Sequence, residues 1–505
     1  DADFTITNAL GSAQAPVDTV NASAATDAVN LTFSGSNITY TGGSGVDTLA
    51  FGTSLTSADT IDGGDGTDVV SATFNAGTVT PAALTSVETF NATFTGGALN
   101  ASNLGSLTTI NIDSATAATV ISGIPATTTT IEQSETVGNP AVNIRYATGA
   151  DATVAWTNGE VTADTPVVNG ATTFANIANL TVSSDNGNAT NAPVNLGSIT
   201  GDAALNSLTI NTSSDGGDEL GFAAANIGDG LQTGNITGAN LETLTIQADE
   251  AGVILGTLAT APELKTLSIS NLDSGSSGNI TTGTIGNVSA ADELTSINIT
   301  TSGDAASAEA GGGSVLNIGA ITATRAATGD AITDFTVSLA GEYGASQIGA
   351  VAGSADISSI SITTDTVGTS LTMGAISPTF GSITGDVTIN AGTNFTGTHA
   401  GNGWIETEAA GSVGNVSLTS GGTMAIANGA NQEFIGIATS VGNLSFNTLA
   451  AADSIDVGEI EQATTLGNID VTGSGSVTFD GAPAATSIGN VSVAVASGET
   501  VTLNG

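Results

Sequence analysis

An all-β fold, and within that class a parallel β-helix or β-solenoid, is what this 505-residue sequence predicts. Three observations carry the prediction. Short β-branched alternations separated by Gly, Asn and Asp recur along the whole chain. Apolar residues at the 3.6-residue spacing of a helix are nearly absent. Two short apolar words return in fixed order, and a repeat of this length cannot bury its own apolar faces unless neighbouring coils stack on it.

The first word has the form apolar-x-x-apolar-x-apolar: Leu205 to Ile210, Leu241 to Ile246, Leu264 to Ile269, Leu294 to Ile299 and Ile357 to Ile362. Later copies carry Gly-Asn in the middle, at Val413 to Leu418, Val441 to Phe446, Leu466 to Val471 and Ile488 to Val493. Gly-Asn fits a tight turn into a strand. The second word, apolar-x-apolar-Gly-x-apolar, appears at Val194 to Ile199, Leu316 to Ile321, Leu371 to Ile376 and Ile455 to Ile460, its Gly suited to a corner. Counting the last apolar residue of the first word from Val182 to Val493 gives eleven steps over 311 residues, about 28 per repeat, with single steps of 22 to 38. Stacking then sets Leu208, Leu244, Leu267 and Ile297 on successive rungs ~4.8 Å apart. Tandem β-sandwich domains share this composition, but fixed strand order at one period favours the solenoid.

Residues 171–505 are the expected solenoid, and residues 1–170 read as an irregular β-rich region, a second domain or a bent cap. Within the latter lie two Gly-rich nonapeptides at 42–50 and 63–71, GGSGVDTLA and GGDGTDVVS, which match Gly-Gly-x-Gly-x-Asp-x-apolar-x position by position. In such a turn Gly42, Gly43 and Gly45, or Gly63, Gly64 and Gly66, let backbone carbonyls face a hard cation. Asp47 or Asp68 adds a carboxylate, and Asp59, Asp62 and Asp65 are placed to complete the second site. An all-oxygen set of this kind suits Ca2+. The bland alternative is a pair of hairpin turns using Asp as a turn former.

Charge sharpens the metal reading. Asp and Glu number 47 against three Lys and Arg, a formal charge of −44, yet 40% of residues are apolar, which sets the chain apart from acidic disorder. Lys265, Arg145, Arg325 and His399 are its only basic side chains, so counter-charge comes from salt or bound metal. Acidic residues also follow the first word at short offsets: Asp185, Asp215, Asp249, Asp273, Asp304 and Asp365. Stacking would align them as a column of carboxylates open to cations, although polar loops collect acids anyway.

The same balance excludes functions. Phosphate backbones and anionic membranes would be repelled. One His, one Lys and no Cys leave little for acid–base or nucleophilic catalysis, so the chain reads as no enzyme; Asp215, Asp218 and Glu219 form the single tight carboxylate group a glycosidase reading could use. The absence of Cys suits life outside the cell. Trp156, Trp404, Tyr40, Tyr146 and Tyr343 do not recur at repeat spacing, which argues against an aromatic glycan track. Asn-x-Ser/Thr tripeptides are expected by chance in a chain so rich in these residues.

The segment Leu55 to Phe74, LTSADTIDGGDGTDVVSATF, followed by Leu84 to Phe94, resembles bacterial surface proteins with RTX-type calcium turns and β-strand repeats, among them surface-layer (S-layer) proteins and secreted adhesins. The resemblance is close over residues 40–95 and one of composition and rhythm beyond. It implies calcium on the nonapeptide glycines and aspartates. The expected function is an extracellular, cell-surface structural protein that assembles with copies of itself, with calcium neutralising acidic faces. A glycan-binding adhesin, in contact with cell-surface polysaccharide, is the alternative, and a polysaccharide-degrading enzyme the remote one.

Overall fold

The computed structural model describes residues 4–504 except 7–8, 12–16, 36, 134–139, 148–152, 159–168, 186–193, 214–230, 249–252, 262, 272–279, 283–284, 288–294, 303–314, 324–330, 333, 341–344, 354–355, 367–369, 399–402, 408–410 and 427–432. Among them there is no helix; the chain is all-β, its strands paired in parallel as a solenoid requires. Two compact units divide it: Asp1–Asp218 with Asp229–Gly238, and Glu219–Gly228 with Ala239–Gly505.

In the second unit the coils from Thr243 to Ile460 visit three long sheets, and several add a two-residue strand of a short further sheet. Val416–Ser420 lies on the first face, Thr423–Ile426 on the second and Glu433–Ile435 on the third; the two-residue strand Ser440–Val441 then leads into the next coil. First-face registers set Leu244 beside Leu267, Leu267 beside Ile297, Ile297 beside Phe335 and Phe335 beside Ile360. The same column runs on through Val387, Val416, Leu444, Ile469 and Val491. Its members up to Ile469 are buried, and each buried aliphatic or aromatic side chain stabilises the stack by roughly 1.5–3 kcal/mol relative to exposure. Outward positions between them are small and polar, as in Thr245, Ser268, Thr388 and Ser417. Period-two alternation therefore writes the core directly into the sequence.

The repeat words do not map one to one onto strands. Leu316–Ile318 lies on the second face and Ile321–Ala323 on the third, so the second word spans two strands with Gly319 at the corner between them. A Cβ on the equivalent Gly349 would come within 2.6 Å of the Ala320 amide nitrogen on the preceding coil. The late first words are also split. Thr465–Leu466 ends before Gly467 and Asn468, and Ile469–Gly473 begins after them.

The first unit is more regular than its sequence suggests, and its early coils are shorter. Leu31 pairs with Leu49, Leu49 with Val70, Val70 with Phe90, Phe90 with Ile110 and Ile110 with Ile131. These steps are 18, 21, 20, 20 and 21 residues, well below 28. Between them runs a second ladder, Thr39–Thr41 beside Thr60–Asp62 beside Ala83–Thr85. The two nonapeptides connect these ladders on adjacent coils.

Most aromatic side chains among the described residues go inward. Trp404 is fully buried between Phe395 and Phe434, at ring separations of 6.0 and 6.4 Å. Tyr40 and Tyr146 are also buried, which removes three of the five Trp and Tyr residues from any surface track. His399 and Arg325 lie outside the described residues.

Candidate functional site

The first nonapeptide turn leaves Thr39–Thr41 and enters Thr48–Ala50; the second leaves Thr60–Asp62 and enters Val69–Phe74. They sit in register, since Tyr40 pairs with Ile61 and Leu49 with Val70. Only glycine fits their contact. A Cβ on Gly42 would lie 1.8 Å from the Gly63 carbonyl oxygen and 2.5 Å from Asp47 Oδ2, and Gly64 and Gly66 hold φ of 94° and 132°. Backbone bonds knit the turns: the Gly42 N–H donates to the Asp62 carbonyl and the Asp65 N–H to the Gly43 carbonyl, at 2.7 and 2.8 Å.

The carboxylate at the sixth position of each nonapeptide points inward. Asp47 and Asp68 are 0% and 1% exposed. Each spends one oxygen on the coil before it: the Val29 N–H donates to Asp47 Oδ1 at 2.9 Å, and the Asp47 N–H to Asp68 Oδ1 at 2.7 Å. Glu88 continues the ladder by accepting the Asp68 N–H at 2.8 Å. The second oxygens differ. Asp47 Oδ2 accepts the Tyr40 hydroxyl at 2.6 Å, whereas Asp68 Oδ2 is buried without a hydrogen-bond partner. That oxygen faces Gly63, where a Cβ would stand 2.3 Å from it. Burial, with the nearby charges of Asp47, Glu88 and Asp62, pushes the Asp68 carboxyl up to about 6 despite the Asp47 N–H bond that favours its anion.

A hard cation fits this place on chemical grounds. A carboxylate oxygen nine-tenths buried and unpartnered is costly unless something positive meets it, and the glycines leave room for backbone oxygens to contribute. Among the described residues no group of three or more acidic or histidine side chains converges as a side-chain cage. The ligands here would be Asp68 Oδ2 and backbone carbonyls.

The other expected ligands fall in several places. Asp59 is buried and ties its own turn to the coil before, Oδ1 accepting the Ile38 N–H and Oδ2 the Thr56 N–H, both at 2.7 Å. Asp62 is half-buried and Asp65 exposed. Asp365 is exposed and accepts the Thr366 N–H. Asp185 ends the strand Asn179–Asp185, while Asp215, Asp249, Asp273 and Asp304 lie outside the described residues, as do Asp218 and Glu219.

A carboxylate crowd that spacing did not signal lies on the third face. Glu433 registers with Glu459 on the next coil, its Oε2 buried without a partner. Burial and the charges of Glu461, Glu459 and Glu406 hold its carboxyl above the usual range. Lys265 spans two coils to reach Glu242 at 2.8 Å, both half-exposed. No protein-family model, curated protein or solved structure matches the chain.

Proposed function

We propose that this chain is an extracellular structural protein that assembles with its own copies into a calcium-stabilised surface layer or related polymer. The observation that carries the reading is the buried, unpartnered Asp68 Oδ2 at a glycine cradle in a chain of charge −44. Calcium there would supply the missing positive partner. The chain's own part is to present the carboxylate, hold it through the Asp47 N–H, and keep side chains out of the cradle with Gly63. Beyond the turns, exposed acids such as Asp65, Asp365, Asp386 and Asp470 face solvent, where divalent ions can neutralise them and bridge neighbouring copies. Parallel ladders make the stack a stiff, repeating body suited to a lattice.

Electron microscopy of the assembled protein tests this. Chelation with EGTA is expected to disperse sheets or filaments into single copies, and calcium, more than sodium at equal ionic strength, to restore them. Particles that persist unchanged without calcium refute the mechanism. An adhesin would instead need an exposed aromatic groove; the inward Trp404, Tyr40 and Tyr146 do not provide one.

A further inference from the structure

The two nonapeptides are near copies in sequence, yet only one leaves a carboxylate oxygen unpartnered. The cause lies outside the motif. Tyr40 stands seven residues before Asp47, and Ile61 stands seven residues before Asp68; the two are register partners on adjacent coils. Both are fully buried in the same inward column, with Leu84 next in line. The Tyr40 hydroxyl therefore reaches Asp47 Oδ2, and Ile61 offers Asp68 nothing.

We propose that Tyr40 makes the first nonapeptide metal-independent: its hydroxyl takes the place at Asp47 Oδ2 that a cation takes at Asp68 Oδ2, so the pair of turns holds one calcium ion rather than two. The assignment rests on the calcium reading above and refines it. With Val29 on Oδ1 and Tyr40 on Oδ2, both Asp47 oxygens carry a donor. A cation approaching Asp47 must compete with buried hydrogen bonds on both oxygens, bonds to a carboxylate being among the stronger kinds in proteins. The first turn is closed by a residue that a nine-position pattern never inspects, and sequence matching alone would count it as a site.

The test counts tightly held calcium per chain by equilibrium dialysis of the full-length protein, using differences between variants so that weakly held surface ions cancel. Asp68→Asn is expected to lose one ion relative to wild type. Tyr40→Phe, which removes only the hydroxyl, is expected to gain one, and adding Asp47→Asn to Tyr40→Phe to return the count to the wild-type value. Ile61→Tyr, which replaces no ligand, should lose one by closing the second turn in the manner of the first. Circular dichroism checks that each variant keeps its β content, and Tyr40→Phe and Ile61→Tyr give independent readouts should either fail to fold. Loss of one ion in Asp47→Asn and one in Asp68→Asn, with no gain in Tyr40→Phe, overturns the Tyr40 assignment while leaving calcium binding intact. If Asp68→Asn loses no ion and Tyr40→Phe gains none, the calcium reading and this assignment fall together.

Discussion

Buried aspartates are the residue-scale signature of this chain, and they do two different jobs with one functional group. Asp59 uses both oxygens to tie Ile38 and Thr56, so Asp59→Ala leaves buried N–H groups unpaired and is expected to cost about 2–4 kcal/mol in urea unfolding, with or without calcium. Asp68 behaves oppositely. Its carboxyl sits near 6 in the metal-free fold against ~3.9 in an unfolded chain. The stability tied to its neutral form is present below about pH 4 and is lost as pH rises through 6, by at most about 3 kcal/mol. Unfolding of metal-free wild type against Asp68→Asn should therefore show the variant gaining relative stability between pH 4 and 7, and saturating calcium should cancel that gain. A gap independent of pH would show that the carboxyl is not strained. Asp47 and Asp68 were legible because the nonapeptide names them. The cap on Asp47 was not, since Tyr40 is adjacent through the fold and seven positions away in the chain, and Asp59 looked like a ligand because spacing cannot distinguish a carboxylate that binds metal from one that binds amides.

At the scale of the element, the late Gly-Asn words build a ladder of side chains along the turn into the first face. Asn443 donates its N–H and Nδ2 to Asn415 Oδ1 at 3.0 and 3.1 Å; Asn468 donates its N–H to Asn443 Oδ1, and Asn490 to Asn468 Oδ1, both at 2.9 Å. The glycine beside each Asn is part of the same device, because a Cβ on Gly467 would meet Asn443 Oδ1 and the Gly442 carbonyl carbon at 2.7 Å. Asn443→Ala is expected to cost about 1 kcal/mol, the net worth of an exposed hydrogen bond or two, and Gly467→Ala about 1–3 kcal/mol through crowding against backbone. Chemical denaturation of the two variants should rank them in that order; equal midpoints would argue that the ladder is ornamental to the turn. The turn itself was readable from Gly-Asn, and the inward columns from period-two alternation. The corner inside the second word was readable too, since its Gly was expected at a bend and Leu316–Ile318 and Ile321–Ala323 part at Gly319; only the neighbouring coil shows the crowding, at the equivalent Gly349. The early coils of the first unit were hidden by their period, since steps of 18 to 21 residues between Leu31 and Ile131 do not answer to a 28-residue template, whereas the later steps to Trp156, Val182 and Ile210 approach it.

For the whole molecule, the question is how a chain of charge −44 keeps parallel rungs stacked ~4.8 Å apart. Two like charges at rung spacing repel by about 1 kcal/mol even in bulk water, and Glu433 beside Glu459 shows such a pair with one oxygen buried. Lys265 bridges to Glu242, but three Lys and Arg side chains cannot serve 47 acids. Two kinds of cation effect then separate by their physics. Diffuse screening acts on exposed charges and depends on ionic strength alone, with a Debye length of ~10 Å at 0.1 M salt. An ion seated as proposed would depend on its identity and on Asp68. Melting curves in sodium and in calcium at matched ionic strength should both rise above low salt, with calcium higher. In Asp68→Asn the sodium curve should be unchanged in its salt dependence, while the extra increment from calcium shrinks by the share belonging to the nonapeptide. Were the increment to survive intact in Asp68→Asn, calcium would be acting only through the acidic surface, and the structural role would pass from the turns to carboxylates such as Glu433 that crowd the outer faces.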